Sequence, residues 1–462
     1  MAQVRNEQGA CSMMFKDSLP VRNLNLVAPL PHKGTAMRIT DTAAFAQAAS
    51  GAIFPMIGDS LRGDDVDSAT RPLPGTRTST TATRTTTTRT TSSELGPSAD
   101  SDLFSLLVQA YLDCRRNKRN SVSALAFEAH LERNLFDLHA ELVDGLYQPG
   151  QSICFAITRP KPREVWAAQF RDRVVHHLIY NHISPRFHAS FVAGSSACIP
   201  GRGTLYAVKR LEHGIRSITE NWEHQAFYLK MDLANFFVAI DKRALFRQLE
   251  AKIHESFWLD LTRRVLFHDP RQNVEVRGKR ELLARVPPHK SLFNAPPNTG
   301  LPIGNLSSQF FANVHLDALD KFCVHRLKAK HYVRYVDDFV MLSLDSQQLV
   351  AARDAVTAFL PDRLGAQVNP TKTILQPVDR GVDFVGQVIR PWRRTTRPRT
   401  LDSAMQRLAE MPSDKTYASG NSYLGLLRQA SHSHADRARM AKTLMRRGHA
   451  VAGDLCKIFP KT

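Results

Sequence analysis

Three aspartates next to strand-like segments are the residues best suited to chemistry. Asp337 and Asp338 lie between two runs of aromatic and β-branched residues, and Asp232 ends a similar run that begins at Phe227. Such runs favour β-strands, so the sequence predicts a hairpin with the paired acids at its tip and Asp232 on a neighbouring strand. Adjacent carboxylates in apolar surroundings repel each other and lose hydration, and divalent metal offsets both effects. Three carboxylates on two strands can hold two Mg²⁺ ions, about 3.5–4 Å apart, for in-line phosphoryl transfer.

The charge of the chain favours a polyanionic partner. Lys and Arg total 62 against 43 Asp and Glu, giving a formal net charge of +19 and a sequence pI near 9.9. Nucleic acid is the commonest large polyanion, and an acidic membrane surface is the competing partner. We expect no membrane partner, because the chain has no run of about 18 apolar residues. The 6 cysteines lack Cys-x-x-Cys spacing and residues 1–16 lack a signal-peptide core, which predicts a cytoplasmic protein with reduced thiols.

The first hundred residues differ from the rest of the chain. The tract 70–93 is rich in Thr and Arg and cannot bury enough apolar area to offset chain entropy, so we expect a largely disordered N-terminal extension over 1–99. Order is predicted to begin with a helix capped by Asp100 or Ser101. A second helix is predicted over 121–142.

Basic residues farther along are candidates for binding phosphates. Two prolines around Lys161 favour an extended segment from which Lys161 and Arg163 project, followed by an amphipathic helix. We expect Asp172 and Arg173 in that helix to form a structural ion pair or a cap. A Gly-Arg-Gly loop around Arg202 precedes another helix, where backbone N–H groups and the helix dipole favour phosphate.

The order of these motifs resembles that of reverse transcriptases. Residues 335–338 resemble the Tyr-x-Asp-Asp box of that family, and Asp232 matches the acid of its first palm motif. The resemblance covers about residue 100 to the end of the chain. It implies RNA-directed DNA polymerase activity and an α+β right-hand fold, with fingers, a palm of antiparallel sheet backed by helices, and a helical thumb. The implied divisions are 1–99 for the extension, 100–226 for the N-terminal helices and fingers, 227–389 for the palm and 390–462 for the thumb.

The resemblance also assigns roles to individual residues. Asp232, Asp337 and Asp338 are implied to be catalytic and, with Leu233, to hold two Mg²⁺ ions, or Mn²⁺ in their place. The implied nucleotide-binding residues are Lys161, Arg163, Phe237, Ile303, Gly304, Gln309 and Lys372. The implied template and primer contacts are Arg202, Gly203, Tyr335, Gly386, Arg390, Arg393 and Arg394.

For two of these residues a purely structural role is the alternative to the implied function. Phe237 is implied to be the gate that excludes a ribose 2′-hydroxyl, but it could be a core residue while Phe236 faces the site. Lys372 is implied to lie near the nucleotide phosphates, where it could protonate the leaving pyrophosphate, but it could equally be a surface lysine.

Ile303 and Gln309 distinguish between groups within the reverse transcriptase family. Intron and retron enzymes usually carry Gln and Pro at these places, whereas reverse transcriptases of diversity-generating retroelements resemble this chain. An apolar Ile303 can pack but cannot hydrogen-bond a template nucleotide, which favours low fidelity. The resemblance implies error-prone copying at template adenines in mutagenic retrohoming. Its implied partners are a template RNA, the cDNA primer–template duplex, deoxynucleoside triphosphates and a small basic accessory protein, in a bacterial or phage-encoded system.

Two other functions fit parts of the sequence. One is a bacterial reverse transcriptase of retron, intron or phage-defence type. The other is a catalytically idle RNA-binding scaffold that retains the fold. The intact Asp232, Asp337 and Asp338 argue against the scaffold, because three crowded acids add little to a protein that only binds RNA.

Overall fold

The computed structural model describes residues 97–116, 121–158 and 161–460. The predicted Thr/Arg-rich extension, up to residue 96, lies outside them. The helices described are α1 (Pro97–Arg115), α2 (Val122–Glu128), α3 (Leu131–Val143), α4 (Phe170–His188), α5 (Thr204–Ile218), α6 (Phe236–Ala239), α7 (Lys242–Glu250), α8 (Ser256–Phe267), α9 (Arg280–Leu283), α10 (Leu306–Lys321), α11 (Ser346–Leu364), α12 (Pro398–Glu410), α13 (Ser413–Leu427) and α14 (His434–Arg446). The strands are β1 (Ser152–Ile157), β2 (Arg163–Ala168), β3 (Phe227–Asp232), β4 (Val274–Arg277), β5 (His331–Tyr335), β6 (Asp338–Ser343), β7 (Ile374–Pro377), β8 (Val382–Phe384), β9 (Gln387–Arg390), β10 (Arg393–Thr396), β11 (Ala450–Val451) and β12 (Ile458–Phe459).

A four-stranded antiparallel sheet lies at the centre of the fold, in the order β5-β6-β3-β7. Successive side chains of a strand point to opposite faces, so each strand contributes to two hydrophobic clusters. Leu229 and Met341 face the larger cluster, which includes α10 and α11, while Tyr228 and Val340 face the cluster that includes α5. The predicted palm, an antiparallel sheet backed by helices, is confirmed.

The fingers sheet has three strands in the order β2-β1-β4. β1 and β2 form an antiparallel pair, and β4 adds to β1 in parallel. β4 comes from inside the segment 227–389, which the sequence assigned to the palm. A chain division at residue 227 therefore does not separate the two sheets.

Two predicted helix boundaries are wrong. α1 begins at Pro97, so Asp100 and Ser101 lie within the helix and not before its first residue. The helix predicted over 121–142 is two helices, α2 and α3, because the chain leaves the helical conformation at His130 (φ −135°). The Asn134 side-chain amide donates to the Phe127 carbonyl (2.8 Å) across the break. The Ser121 hydroxyl caps α2, accepting from the Ala124 N–H at 3.3 Å.

α4 is buried rather than amphipathic. It packs against α1, α8 and α10, so side chains on every side of it are covered. The predicted pair between Asp172 and Arg173 does not form. Asp172 accepts from the Tyr147 hydroxyl (3.0 Å) and the Gly150 N–H (2.9 Å), while Arg173 donates to the Ala168 carbonyl (2.8 Å). An internal helix carries polar residues when each finds a partner nearby.

A third sheet, in the order β10-β9-β8, connects the palm to the C-terminal helices. α12, α13 and α14 form the predicted helical thumb around the fully buried Leu408, Leu424 and Leu444. The short β11–β12 pair packs onto α13 and α14.

The described residues bear on the expectations about a membrane partner and about the cysteines. None of the helices among residues 97–116, 121–158 and 161–460 is long and apolar enough to cross a membrane. The cysteines of this part of the chain are free thiols, and three of them, Cys114, Cys154 and Cys323, are buried.

Candidate active site

Three carboxylates meet at one end of the central sheet. Asp232 is the last residue of β3 and lies directly opposite Asp338, the first residue of β6. Directly opposed residues of an antiparallel pair project to the same face. Asp337 occupies the β5–β6 turn, and its carbonyl accepts the Leu233 N–H at 3.3 Å. The sequence prediction of a hairpin tip next to the end of a neighbouring strand is confirmed.

Burial and mutual repulsion shape the electrostatics of this end of the sheet. Burial raises the pKa of Asp337 to about 6, the Asp232 charge adds to the shift, and Lys372 and Arg163 oppose it. Burial also raises the pKa of Asp338 to about 8, against an opposing effect of Lys230. Both Asp338 carboxylate oxygens are buried without a hydrogen-bond partner in the described part of the chain, and the Lys230 ammonium lies 3.6 Å away.

These carboxylates fit the chemistry of a divalent-cation site. Oxygen donors suit Mg²⁺ and Mn²⁺, and the orphaned oxygens of Asp338 lack the partners that buried acids normally have. The predicted metal cluster is not preassembled, however. Among the residues described, no three His, Cys, Asp or Glu side chains are grouped as a metal site. In the described residues Asp232 is paired with Lys372, and Asp338 faces Lys230.

Lys372 lies inside the carboxylate cluster. A 3₁₀ turn over Pro370–Lys372 follows a backbone bond from the Asn369 N–H to the Asp232 carbonyl (2.7 Å). The turn directs the Lys372 ammonium to within 3.0 Å of Asp232 Oδ1. The alternative of an ordinary surface lysine is therefore wrong. The role at the nucleotide phosphates stays a prediction.

The fingers bring a second cation towards the acids. Arg163 is the first residue of β2 and is half-buried, as is Lys161 just before it. The Arg163 charge lowers the pKa of Asp337, so the guanidinium of this fingers strand acts electrostatically on the carboxylate. Both residues have further polar contacts. Their binding of a triphosphate stays a prediction.

The turn at 302–304 packs directly against the fingers sheet. The Trp166 N–H donates to the Ile303 carbonyl at 2.7 Å. Gly304 has φ +130°, and a Cβ there would lie 2.5 Å from the Trp166 carbonyl oxygen, so only glycine fits this contact. Farther along, Gln309 Oε1 accepts from the Cys198 thiol at 3.2 Å. The structure thus joins three predicted nucleotide-binding residues to the fingers.

Phe236 and Phe237 occupy different environments after the turn at Asn235. Phe236 is 3% exposed and packs in the core near His315, whereas Phe237 is half-buried with its ring edge-on to Phe236 at 5.3 Å. Phe237 also packs against the core cluster, so the alternative in which Phe236 faces the site stays open. The gate function of Phe237 stays a prediction.

The predicted template contacts of the fingers have structural partners. Arg202 is half-buried, and its Nη1 donates to the Val192 (2.9 Å) and Ser195 (2.7 Å) carbonyls, so much of its hydrogen-bonding capacity shapes the loop. Gly203 precedes α5, and its carbonyl accepts the Ala207 N–H at 2.9 Å. The template contacts of both residues stay predictions.

The predicted template and primer contacts of the palm and thumb differ in how exposed they are. Gly386 forms the β8–β9 turn at φ +89° with open space around its Cα, and Arg393 is exposed. Tyr335 and Arg390 are half-buried. Arg394 is 5% exposed and donates to Glu212 (3.1 Å), Gln387 (2.6 Å) and the Gln429 carbonyl. The Arg394 guanidinium is occupied inside the protein, which argues against the predicted nucleic-acid contact, and that contact stays a prediction.

Sequence reasoning missed two buried cations on strands of the central sheet. Lys230 lies on the same face of β3 as Asp232 and donates to the Asp383 carbonyl at 2.7 Å. Arg334 on β5 is fully buried and donates to Asp320, Asn313, Ser195 and the Val336 carbonyl. The available signal was a charged residue within a run of aromatic and β-branched residues, where burial requires a partner.

Comparisons with known proteins agree with the motifs. A family model described as "Reverse transcriptase (RNA-dependent DNA polymerase)" matches residues 159–389, half of the chain. No curated protein matches the sequence.

Similar solved structures are fungal telomerases. Telomerase from Candida albicans in complex with the TWJ fragment of telomeric RNA is 13% identical, with a TM-score of 0.40, over 64% of this chain and 55% of that chain. The apo telomerase from Candida tropicalis is 12% identical, with a TM-score of 0.41, over 65% of this chain and 57% of that chain. The chain thus spans little more than half the length of these telomerases.

Proposed function

Because the chain belongs to the reverse transcriptase (RNA-dependent DNA polymerase) family, we propose that it copies an RNA template into cDNA by nucleotidyl transfer. The observation that carries the proposal is the carboxylate cluster at the end of the central sheet. Asp232 and Asp338 face each other across β3 and β6, Asp337 is in the adjoining turn, and Lys372 contacts Asp232 at 3.0 Å. An idle scaffold has no use for a buried acid such as Asp338, whose oxygens have no hydrogen-bond partner among the described residues.

The site residues divide the work of the reaction. Asp232, Asp337 and Asp338 would hold the divalent ions, with the Leu233 backbone beside them, and bound metal would supply charge stabilisation to the attacking and leaving oxygens. Lys372 holds a proton on its Nζ next to Asp232, where it can neutralise or protonate leaving pyrophosphate. Arg163 and Lys161 provide positive charge for the triphosphate from the fingers side.

A primer-extension assay tests the proposal. The purified chain receives an RNA template with an annealed DNA primer, deoxynucleotides and Mg²⁺ or Mn²⁺. We expect cDNA from the wild type and a loss of roughly 10³-fold in Asp337→Asn, since the carboxylate at the reacting centre is removed. The matched control is Asp362→Asn, whose exposed carboxylate lies on α11 and faces Arg363 at 3.8 Å. No cDNA from the wild type, or equal cDNA from Asp337→Asn, would contradict the proposal.

We further propose that the polymerase is of the diversity-generating type, with misincorporation concentrated at template adenines. The support is the apolar side chain at Ile303, in the turn that packs against β2, together with Gln309 at its contact with Cys198. An apolar residue at this turn offers no hydrogen bond for checking a base pair. The partners in this proposal are a template RNA and a small basic accessory protein in a bacterial or phage-infected cytoplasm.

Sequencing the cDNA tests the diversifying function separately. We expect wild-type errors to concentrate at template adenines and to decrease in Ile303→Gln, because the amide restores polar contacts with the template or its pair. Ile303→Leu is the control, since it keeps the apolar character and should keep the error spectrum. Faithful wild-type cDNA would leave a polymerase of the retron, intron or phage-defence type.

A further inference from the structure

The catalytic turn contains a backbone conformation that its sequence disfavours. Val336, directly before Asp337, has φ +56°. A β-branched residue in the left-handed region is an outlier, and such strain persists only where surrounding structure imposes it. Some contact must therefore hold Val336 in place.

Arg334 makes that contact. Its Nη1 donates to the Val336 carbonyl at 2.9 Å, two residues along the same hairpin. The guanidinium is itself immobilised, because Nε and Nη2 donate to the two oxygens of Asp320 on α10 at 2.6 and 2.7 Å. A bidentate Arg–carboxylate pair fixes both distance and orientation. Arg334 and Asp320 are both 0% exposed, so solvent does not weaken the pair.

The same arginine is bound to the fingers loop 194–196. Nη2 also donates to the Ser195 hydroxyl at 2.9 Å. The Arg334 backbone pairs with the loop through bonds to the Gly194 carbonyl (2.9 Å) and from the Ser196 N–H (3.0 Å). A Cβ on Gly194 would lie 2.3 Å from the Tyr332 carbonyl oxygen, so the loop approaches the strand as closely as glycine allows.

We propose that Arg334 is the positioning residue of the catalytic turn, which it holds against α10 and the fingers loop 194–196 so that Asp337 and Asp338 keep their reactive placement. The inference rests on the proposed polymerase function. Loss of the Val336 contact should release the turn without removing any group that binds nucleotide or nucleic acid. The expected effect is a lower kcat at an unchanged KM for deoxynucleotide, since misplacement of reacting groups by about 1 Å can cost roughly 100-fold in rate.

Arg334→Lys tests the proposal, with Tyr332→Phe as the matched control. Lysine keeps the buried charge but cannot contact Asp320, Ser195 and Val336 together. Tyr332→Phe removes the 2.6 Å hydrogen bond to Asp320 Oδ1 from the same cluster and leaves the Arg334–Val336 contact. For each variant we would measure kcat per active site, KM, the Kd for primer–template and the thermal midpoint.

The two variants separate positioning from ordinary structural support. We expect Arg334→Lys to lower kcat by about 100-fold with unchanged KM and Kd, and Tyr332→Phe to lower the thermal midpoint while kcat stays within about twofold. Equal kcat values in folded Arg334→Lys and wild type would overturn the proposal. So would equal reductions of kcat in the two variants. A wild type that makes no cDNA would instead overturn the proposed function.

Ser195→Ala keeps the proposal falsifiable if Arg334→Lys does not fold. It removes the hydroxyl that accepts one hydrogen bond from Arg334 Nη2 and leaves the Asp320 pair in place. We expect kcat to decrease by about threefold to tenfold at unchanged KM. An unchanged kcat in this folded variant would overturn the link between the fingers loop and the turn.

Discussion

Two buried carboxylates near the same hairpin have opposite surroundings. Asp320 is 0% exposed and accepts from Arg334 at 2.6 and 2.7 Å and from the Tyr332 hydroxyl at 2.6 Å. Asp338 is 3% exposed, yet neither of its oxygens has a hydrogen-bond partner among the described residues. Buried acids are normally paired, so the difference separates an acid that holds the fold from one kept available for a ligand.

Substitutions at the two acids should change stability in opposite directions. Asp320→Ala leaves the Arg334 guanidinium buried without its carboxylate, and we expect the free energy of unfolding to decrease by about 3–5 kcal/mol. Asp338→Asn removes a carboxyl group whose oxygens accept no hydrogen bond in the described residues, and burial raises its pKa to about 8 despite Lys230 at 3.6 Å, so burial opposes its charge more than Lys230 favours it. We therefore expect metal-free stability to stay the same or increase by up to about 2 kcal/mol. Urea denaturation of both variants without divalent metal measures the difference. Equal decreases in the free energy of unfolding of Asp320→Ala and Asp338→Asn would contradict the division into a structural acid and an available acid.

His315 on α10 is a buried base, and it extends the comparison beyond the acids. Burial lowers its pKa to about 4, partly opposed by its bond to the Leu364 carbonyl and by the Asp241 charge. Because the folded pKa lies below the ordinary value of about 6.5, the unfolded chain binds the proton more tightly, and stability decreases as pH falls from about 6.5 to 4. We expect this loss to be on the order of 2–3 kcal/mol, and His315→Gln to remove it. Urea midpoints at pH 7 and 4.5 measure the change, and an identical pH dependence in the variant would contradict it.

The sequence predicted best those features that depend on neighbouring residues. Alternation of apolar side chains located the strands that end at Asp232 and begin at Asp338. Contacts between distant residues were not predictable in the same way. Lys372 meets Asp232 across 140 positions, and Arg394 meets Glu212 across 182, so the sequence alone could not separate a buried cation from an exposed one in a basic run. α4 was predicted to be amphipathic because its covering by α1, α8 and α10 is likewise a long-range property.

Phe236 and Phe237 are adjacent rings, of which Phe236 is buried and Phe237 is half-buried. Phe237→Ala should admit ribonucleotides, with discrimination against them reduced roughly 10- to 100-fold, since the ring would no longer exclude the 2′-hydroxyl. Phe236→Leu is the control, because this buried ring should affect stability and leave sugar selectivity intact. Single-nucleotide extension with matched ribo- and deoxynucleotides measures both variants. Unchanged selectivity in Phe237→Ala would remove the gate assignment.

Arg393 and Arg394 are adjacent cations of β10 that differ in exposure, and the expected effects of replacing them are the smallest. Arg393 is exposed, so Arg393→Ala should weaken binding of primer–template evenly across sequences and reduce the salt slope by about 1, as one phosphate contact is lost. Arg394 is occupied by Glu212 and Gln387, so Arg394→Ala should lower the free energy of unfolding and leave the salt slope of the folded fraction unchanged. Binding titrations over a range of salt concentrations, with urea denaturation of each variant, measure the two effects. A reduced salt slope in folded Arg394→Ala would show that a buried, internally bonded arginine still contacts the nucleic acid, and burial would then fail to separate structural from functional charges in this protein.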